Sequence, residues 1–158
     1  MTTKTFKGRP IAAGEIKAEA VVSHYGFNTL ASCQKSAMGI KPKDIEAGTA
    51  KIVVSDQNNP DLFGKQITGR ALCLPLTIGS TTGGMILQTI CSMNAQPAAM
   101  LFSETADSLA TSGLILAKVW EKNFIVGVDR LGQEFLDYVK DGDMIEVKED
   151  GTVVVTRQ

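Results

Sequence analysis

The sequence predicts an α/β fold, a mixed sheet flanked by helices, and three observations carry that reading. In the middle of the chain, short apolar runs of strand length alternate with longer segments whose apolar residues recur at helical spacing. Near the C-terminus, Met144–Val147 and Thr152–Thr156 alternate apolar and polar residues around the turn Glu149-Asp150-Gly151, a hairpin pattern. Strand-like pieces also dominate the N-terminal end. With 158 residues, no internal repeat and no low-complexity linker, residues 1–158 are expected to form one domain with its own core.

Taken in order, Ile11–Gly14 and Ala18–Ser23 read as two short strands joined by a turn. Residues 25–49 show no clear period, and Pro42 interrupts them, so they read as a long surface loop or a short helix with flanking loops. Lys51–Ser55 reads as a strand, followed by the dense turn signal Asp56-Gln57-Asn58-Asn59-Pro60-Asp61. Ala71–Leu74 is a buried strand that breaks into the loop Gly79-Ser80-Thr81-Thr82-Gly83-Gly84. A helix follows, with Met85, Leu87, Ile90 and Cys91 at mixed helical spacing, ending near Asn94. Ala98–Phe102 is a buried strand, and Ser108–Trp120 an amphipathic helix with Leu109, Gly113, Leu116, Ala117 and Trp120 on one face. Phe124–Val128 is a further strand, and Glu134–Lys140 a short helix before the hairpin.

Sixteen basic against seventeen acidic side chains leave a net charge of −1, with no basic tract and only two Tyr and one Trp for stacking, which excludes nucleic acid as the expected partner. No stretch is apolar for long enough to span a bilayer, and residues 1–9 lack the apolar core of a signal peptide, so a membrane role is not expected. Three widely spaced cysteines suit a reducing cytoplasm better than a disulfide framework. Cys73 and Cys91 fall in apolar patterns and read as buried hydrophobes, whereas Cys33, beside Ser32 and Gln34, reads as the accessible one. No pair has ligand-like spacing, so no metal site is assigned and no iron–sulfur cluster is expected on this chain alone.

The strand–loop–helix from Leu72 to Leu87 is where chemistry is expected. Backbone N–H groups and the hydroxyls of Ser80, Thr81 and Thr82 converge at a helix N-terminus, where the dipole favours a small anion or carboxylate. The bland alternative is that these hydroxyls merely cap the helix, but a cap needs no glycines, whereas close approach of a ligand to the backbone does. The loop lacks the Gly-Lys-Ser/Thr of a nucleotide loop and the flanking glycines of a hydrolase nucleophile elbow. A serine acting as base needs its alkoxide stabilised, and no basic residue stands beside Ser80, where Leu76 and Ile78 precede it. His24, the single histidine, reads as a surface or strand-end residue, and Asp56–Asp61 as a turn held by Asx hydrogen bonds rather than a calcium loop. Lys118, Glu121 and Lys122 read as a solvated helix face.

Beyond these local readings, an ordered set of motifs is similar to a known family. Lys7-Gly8-Arg9, the run from Asp61 to Arg70, Leu74-Pro75 ahead of Gly79-Ser80-Thr81, Ala95–Ala99 and Lys140–Val147 resemble the small, swivelling-domain subunit of aconitase X over nearly the whole chain, least from 25 to 50. The resemblance implies a β/β/α swivelling domain and a hydro-lyase active only with a large subunit, in a heterodimer whose iron–sulfur cluster the large subunit holds. It implies Ser80 as the catalytic base, and Gly79, Thr81, Thr82 and Gly83 as the groups that hold the substrate carboxylate. Two activities compete within the family, dehydration of cis-3-hydroxy-L-proline and dehydration of mevalonate 5-phosphate. Family members acting on the phosphate commonly carry Lys or Arg just before the Gly-Ser, where this chain has Ile78, so the expected substrate is a small hydroxy acid of the hydroxyproline type. A phosphohistidine carrier shares the architecture and a Thr-Gly-Gly-Met string, but would need Ser-His where this chain has Ile86 and Leu87. A non-catalytic carboxylate-binding module is the remaining alternative.

Overall fold

The structure, a computed structural model, describes residues 1–79 and 81–157. Among these residues, ten strands and five helices run in the order β1 (Thr2–Lys7), β2 (Arg9–Ala12), β3 (Ile16–Val22), β4 (Phe27–Asn28), α1 (Thr29–Gly39), α2 (Pro42–Ala47), β5 (Ala71–Leu74), β6 (Thr77–Ile78), α3 (Gly83–Ser92), β7 (Ala99–Phe102), α4 (Ser108–Trp120), β8 (Val126–Asp129), α5 (Gln133–Tyr138), β9 (Met144–Val147) and β10 (Thr152–Arg157). Eight strands form one mixed sheet in the order β1-β10-β9-β3-β5-β7-β8-β2, while β4 and β6 pair apart from it. The centre, β3-β5-β7-β8, is parallel, and both flanks are antiparallel.

Parallel strands need both faces covered, and β5, β7 and β8 are buried along their whole length. Alternate residues of these strands feed two cores. Leu72, Leu74, Met100 and Phe102 pack with Cys33 of α1, Leu87, Ile90 and Cys91 of α3, and Ala110, Leu114 and Ala117 of α4. Ala71, Cys73, Ala99 and Leu101 face the other way, onto Phe135 and Leu136 of α5 and the inward residues of β9 and β10.

Several sequence expectations are corrected here. The two N-terminal strands joined by a turn are present, β2 lying against β8 at one edge while β3 joins β9 to β5. The edge strand β1 carries only one buried side chain, Phe6, so its pattern is invisible in the sequence. Residues 25–49 hold two helices, where the sequence suggested a loop or a single short helix. Asn28 caps α1 by accepting from the Ala31 N–H, and the helix buries Thr29, Ser32 and Cys33, a partly polar set that no hydropathy period reveals. Cys33 is therefore buried rather than accessible, and burial pushes its thiol up to about 12.

Residues 51–55 make no strand beyond a single bridge, Val53 to Gln66. Their N–H groups go instead to Thr68 Oγ1 (from Ile52, 2.7 Å), Ser36 Oγ (from Val53, 3.0 Å) and the Lys65 carbonyl (from Val54, 2.9 Å). The face assigned to α4 is rotated: Gly113 and Ala117 are buried with Ala110 and Leu114, but Leu109, Leu116 and Trp120 are exposed.

Candidate functional site

Three helices begin at one place. A cavity of about 310 Å³ is lined by Thr29, the first residue of α1, by Gly83, the first of α3, and by Leu109 and Ala110 in the first turn of α4, with the cap residue Asp107. Thr77, Ile78 and Gly79, leading out of β6, close it. Each helix start carries the positive end of its dipole, so the cavity can receive negative charge without a Lys or Arg in its lining.

The local geometry follows from residue type. Gly79 has φ of +101°, a conformation favouring glycine, and a Cβ there would stand 2.7 Å from Asn28 Nδ2. Asn28 itself pairs with Ile78 across the β4–β6 ladder, so the cap of α1 and the entry to the loop are built together. On the far side of the loop, Gly84 lies against α4: a Cβ on it would meet the Leu109 carbonyl at 2.6 Å, and one on Gly113 would meet the Gly84 carbonyl at 2.6 Å. Two glycines thus let the N-terminal turn of α3 touch α4 backbone to backbone.

Of the expected site residues, Gly79 and Gly83 line the cavity, and Thr81 and Thr82 are exposed on the loop beside it. Thr82 occupies the N-cap position of α3, and its side chain makes no capping hydrogen bond to the helix. Ser80 lies outside the described residues. Asp107, Thr77, Asn28 and Thr29 were not singled out from the sequence. Asp107-Ser108 and Asn28-Thr29 do carry the signal, an Asx residue immediately ahead of a helical segment.

Residues singled out elsewhere prove to be braces. Arg9 of the Lys-Gly-Arg motif donates to Asp129 through Nε (2.9 Å) and Nη2 (2.7 Å), and the buried Asp129 also accepts from the Ala106 N–H at 2.8 Å, just ahead of α4. His24 is exposed and meets Asp61 at 3.0 Å. Asp56 and Asn59 accept from the N–H groups of Asn58 and Leu62, the expected Asx turns. Lys118 donates to the Ala13 carbonyl and lies over the Phe124 ring, so it is a strap rather than a purely solvated charge.

A cluster or metal finds no donor set among the described residues: no three His, Cys, Asp or Glu side chains stand together for one. Cys33 and Cys91 belong to one core and Cys73 to the other. Burial raises all three thiols, Cys91 to about 12. No helix among the described residues is long and apolar enough to cross a membrane.

Comparison with known proteins places this geometry. The phosphomevalonate dehydratase small subunit of Methanosarcina mazei is 29% identical over 154 residues, spanning 97% of this chain and 92% of its own. Its counterpart in Methanocella arvoryzae is 30% identical over 146 residues, spanning 92% of both chains. The crystal structure of Thermococcus kodakaraensis aconitase X in its holo-form superposes with a TM-score of 0.76 at 25% identity, over 98% of this chain and 99% of that one. The aconitase X swivel domain matches residues 5–156, and with fold and sequence agreeing from end to end, the chain belongs to that family.

Proposed function

We propose that this chain is the small subunit of a two-subunit cytoplasmic dehydratase, that residues 1–158 act in it as one swivelling domain, and that the substrate is mevalonate 5-phosphate. The observation that carries the reading is the run of relatives at 29–30% identity, each aligned over more than nine-tenths of both chains, that are phosphomevalonate dehydratase small subunits. It reverses the order of substrates that Ile78 suggested. Ile78 removes a neighbouring cation, but three helix N-termini at the cavity supply positive potential from the backbone.

In this reading Ser80 removes a proton from the carbon beside the one bearing the hydroxyl. The C–H electron pair becomes the new double bond as the hydroxyl departs, and the two fragments leave as water. Gly79, Thr81, Thr82 and Gly83 hold the substrate carboxylate at the start of α3. The iron–sulfur cluster belongs to the large subunit. Free, buried cysteines suit a reducing compartment.

The surface beside the cavity supports a large partner. Across α3 and α4 the only charged side chain is Lys118. Leu109, Ile115, Leu116, Val119 and Trp120 are exposed along α4, with Met85 on α3, and Leu109 also lines the cavity. An apolar stripe of this extent, continuous with a site, is what a permanent partner covers.

One observation favours a second reading. Asp107 is the one ionisable side chain among the described residues lining the cavity, and a carboxylate there suits a protonated ring nitrogen such as that of cis-3-hydroxy-L-proline. The test is to co-express the chain with its large subunit, purify the complex without oxygen, and supply each substrate separately. Turnover of mevalonate 5-phosphate alone is expected. Turnover of the hydroxyproline alone would replace the substrate, and an isolated chain that binds carboxylates without a partner would replace the enzyme reading.

A further inference from the structure

Both flanks of the loop that carries Ser80 are fastened to the first turn of α4, and one side chain makes the connection on the upstream flank. Thr77 Oγ1 donates to Asp107 Oδ1, linking residues 30 apart in sequence. The other carboxylate oxygen, Oδ2, accepts from the Leu109 N–H at 3.1 Å and the Ala110 N–H at 3.2 Å, which caps α4. One carboxylate therefore serves two elements at once: it closes the start of α4 and holds Thr77, the first residue of β6, two residues before Gly79. On the downstream flank, Gly84 packs against Leu109 and Gly113 of α4.

We infer that Asp107 is the positioning residue of this loop, holding Ile78 and Gly79 in place by tying Thr77 to the N-terminus of α4; this rests on the reading that the loop they lead into is the active segment. The anchor itself is well founded. Asp129, buried and paired with Arg9, accepts from the Ala106 N–H, so the residue before Asp107 is pinned to the sheet. A line of hydrogen bonds runs from β2 through β8 and the start of α4 to β6, and it ends at the loop. Few of the contacts available to a short exposed loop are as specific as a charged acceptor on a fixed helix end. A displacement of about 1 Å at a reacting group is enough to cost on the order of 100-fold in rate.

The capping role and the positioning role separate cleanly by mutation. Thr77→Val removes the tie and leaves the cap of α4 intact, Asp107→Ala removes both, and Asp107→Asn keeps a good cap and an acceptor. In the complex with the large subunit, Thr77→Val and Asp107→Ala should each lower kcat about 10- to 100-fold with KM little changed. The double variant should be no worse than Asp107→Ala, because the two residues act as one unit. Thr77→Ser and Asp107→Asn should recover most of the rate. Amide hydrogen exchange on the same complexes gives a readout independent of turnover: residues 78–84 should exchange about tenfold faster in Thr77→Val, and β10 should not change. Parent-like kcat and loop exchange in Thr77→Val would overturn the inference and leave Asp107 as a helix cap only. If the complex dehydrates neither substrate, exchange alone decides the positioning role, while the substrate reading fails separately.

Discussion

The two sides of the sheet are finished in opposite ways. On the side of β1, β10 and α5, charges are paired: Lys4 with Glu134 at 2.7 Å, Lys7 with Asp150 at 2.9 Å, and Arg157 with Asp143 at 2.7 Å. Arg157 also lies over the Tyr138 ring and donates to the Tyr138 carbonyl. On the side of α3 and α4, Lys118 is the lone charge within the two helices, Val119 is 67% exposed and Trp120 73%. The first surface is built for water and the second is not. Both sides bury comparable apolar cores against the same strands, so the difference lies in what each side meets outward, and the cavity opens on the side left apolar.

If that contrast is sound, variants on the α3–α4 side should lose function with little loss of stability, and variants on the other side the reverse. The largest effect is expected from Ser80→Ala, which should lower turnover of the complex by about 1000-fold or more while leaving subunit association and thermal midpoint unchanged. Turnover equal to the parent would remove Ser80 as the base. Next comes the pair Leu116→Asp and Trp120→Glu, introduced together on the exposed stripe. Affinity for the large subunit should fall about 100-fold, seen as loss of co-purification, with the melting curve of the chain nearly unmoved. Retained association would move the partner to another surface.

The smallest effect belongs to the charged side. Burial works to raise the Asp143 carboxyl, but hydrogen bonds from Arg157 and the Lys140 N–H, with their charges, outweigh it and hold the group below its ordinary value. A carboxyl lowered by folding stabilises the native state above its unfolded pKa of about 3.9, and that contribution disappears as pH falls through the folded value. Asp143→Asn should cost about 1–3 kcal/mol of stability at pH 7, with the deficit shrinking steadily in acid below about pH 4, while kcat per folded complex stays at the parent level. Denaturation curves across pH check both the size and the sign. A deficit that does not change with pH would show that the pair acts through shape rather than charge.

The motifs that carried the family resemblance divide along the same line. Lys140–Val147 contains Asp141, which accepts from the Val22 N–H, and Asp143, and the segment from Asp61 to Arg70 contains Lys65, which reaches Asp141. Arg9 serves Asp129. These residues identify the family because they build the scaffold, and most of them stand away from the cavity. The motif proposed to bear on chemistry, Gly79 to Gly83, is short, and on its own it could not separate helix capping from ligand binding.

Local sequence determined β5, β7, the extents of α3 and α4 and the β9–β10 hairpin, because these depend on hydrophobic period, turn residues and apolar runs within about a dozen positions. It also determined that Cys73 and Cys91 are buried, since their neighbours are apolar. Tertiary structure decided the rest: that β1 pairs with β10, that β2 crosses to β8, that Cys33 is enclosed, which face of α4 is covered, and that Asp107 meets Thr77. Each of these joins residues far apart in the chain, where no local pattern reports the partner and only the packing of helices on the sheet brings the two groups within reach.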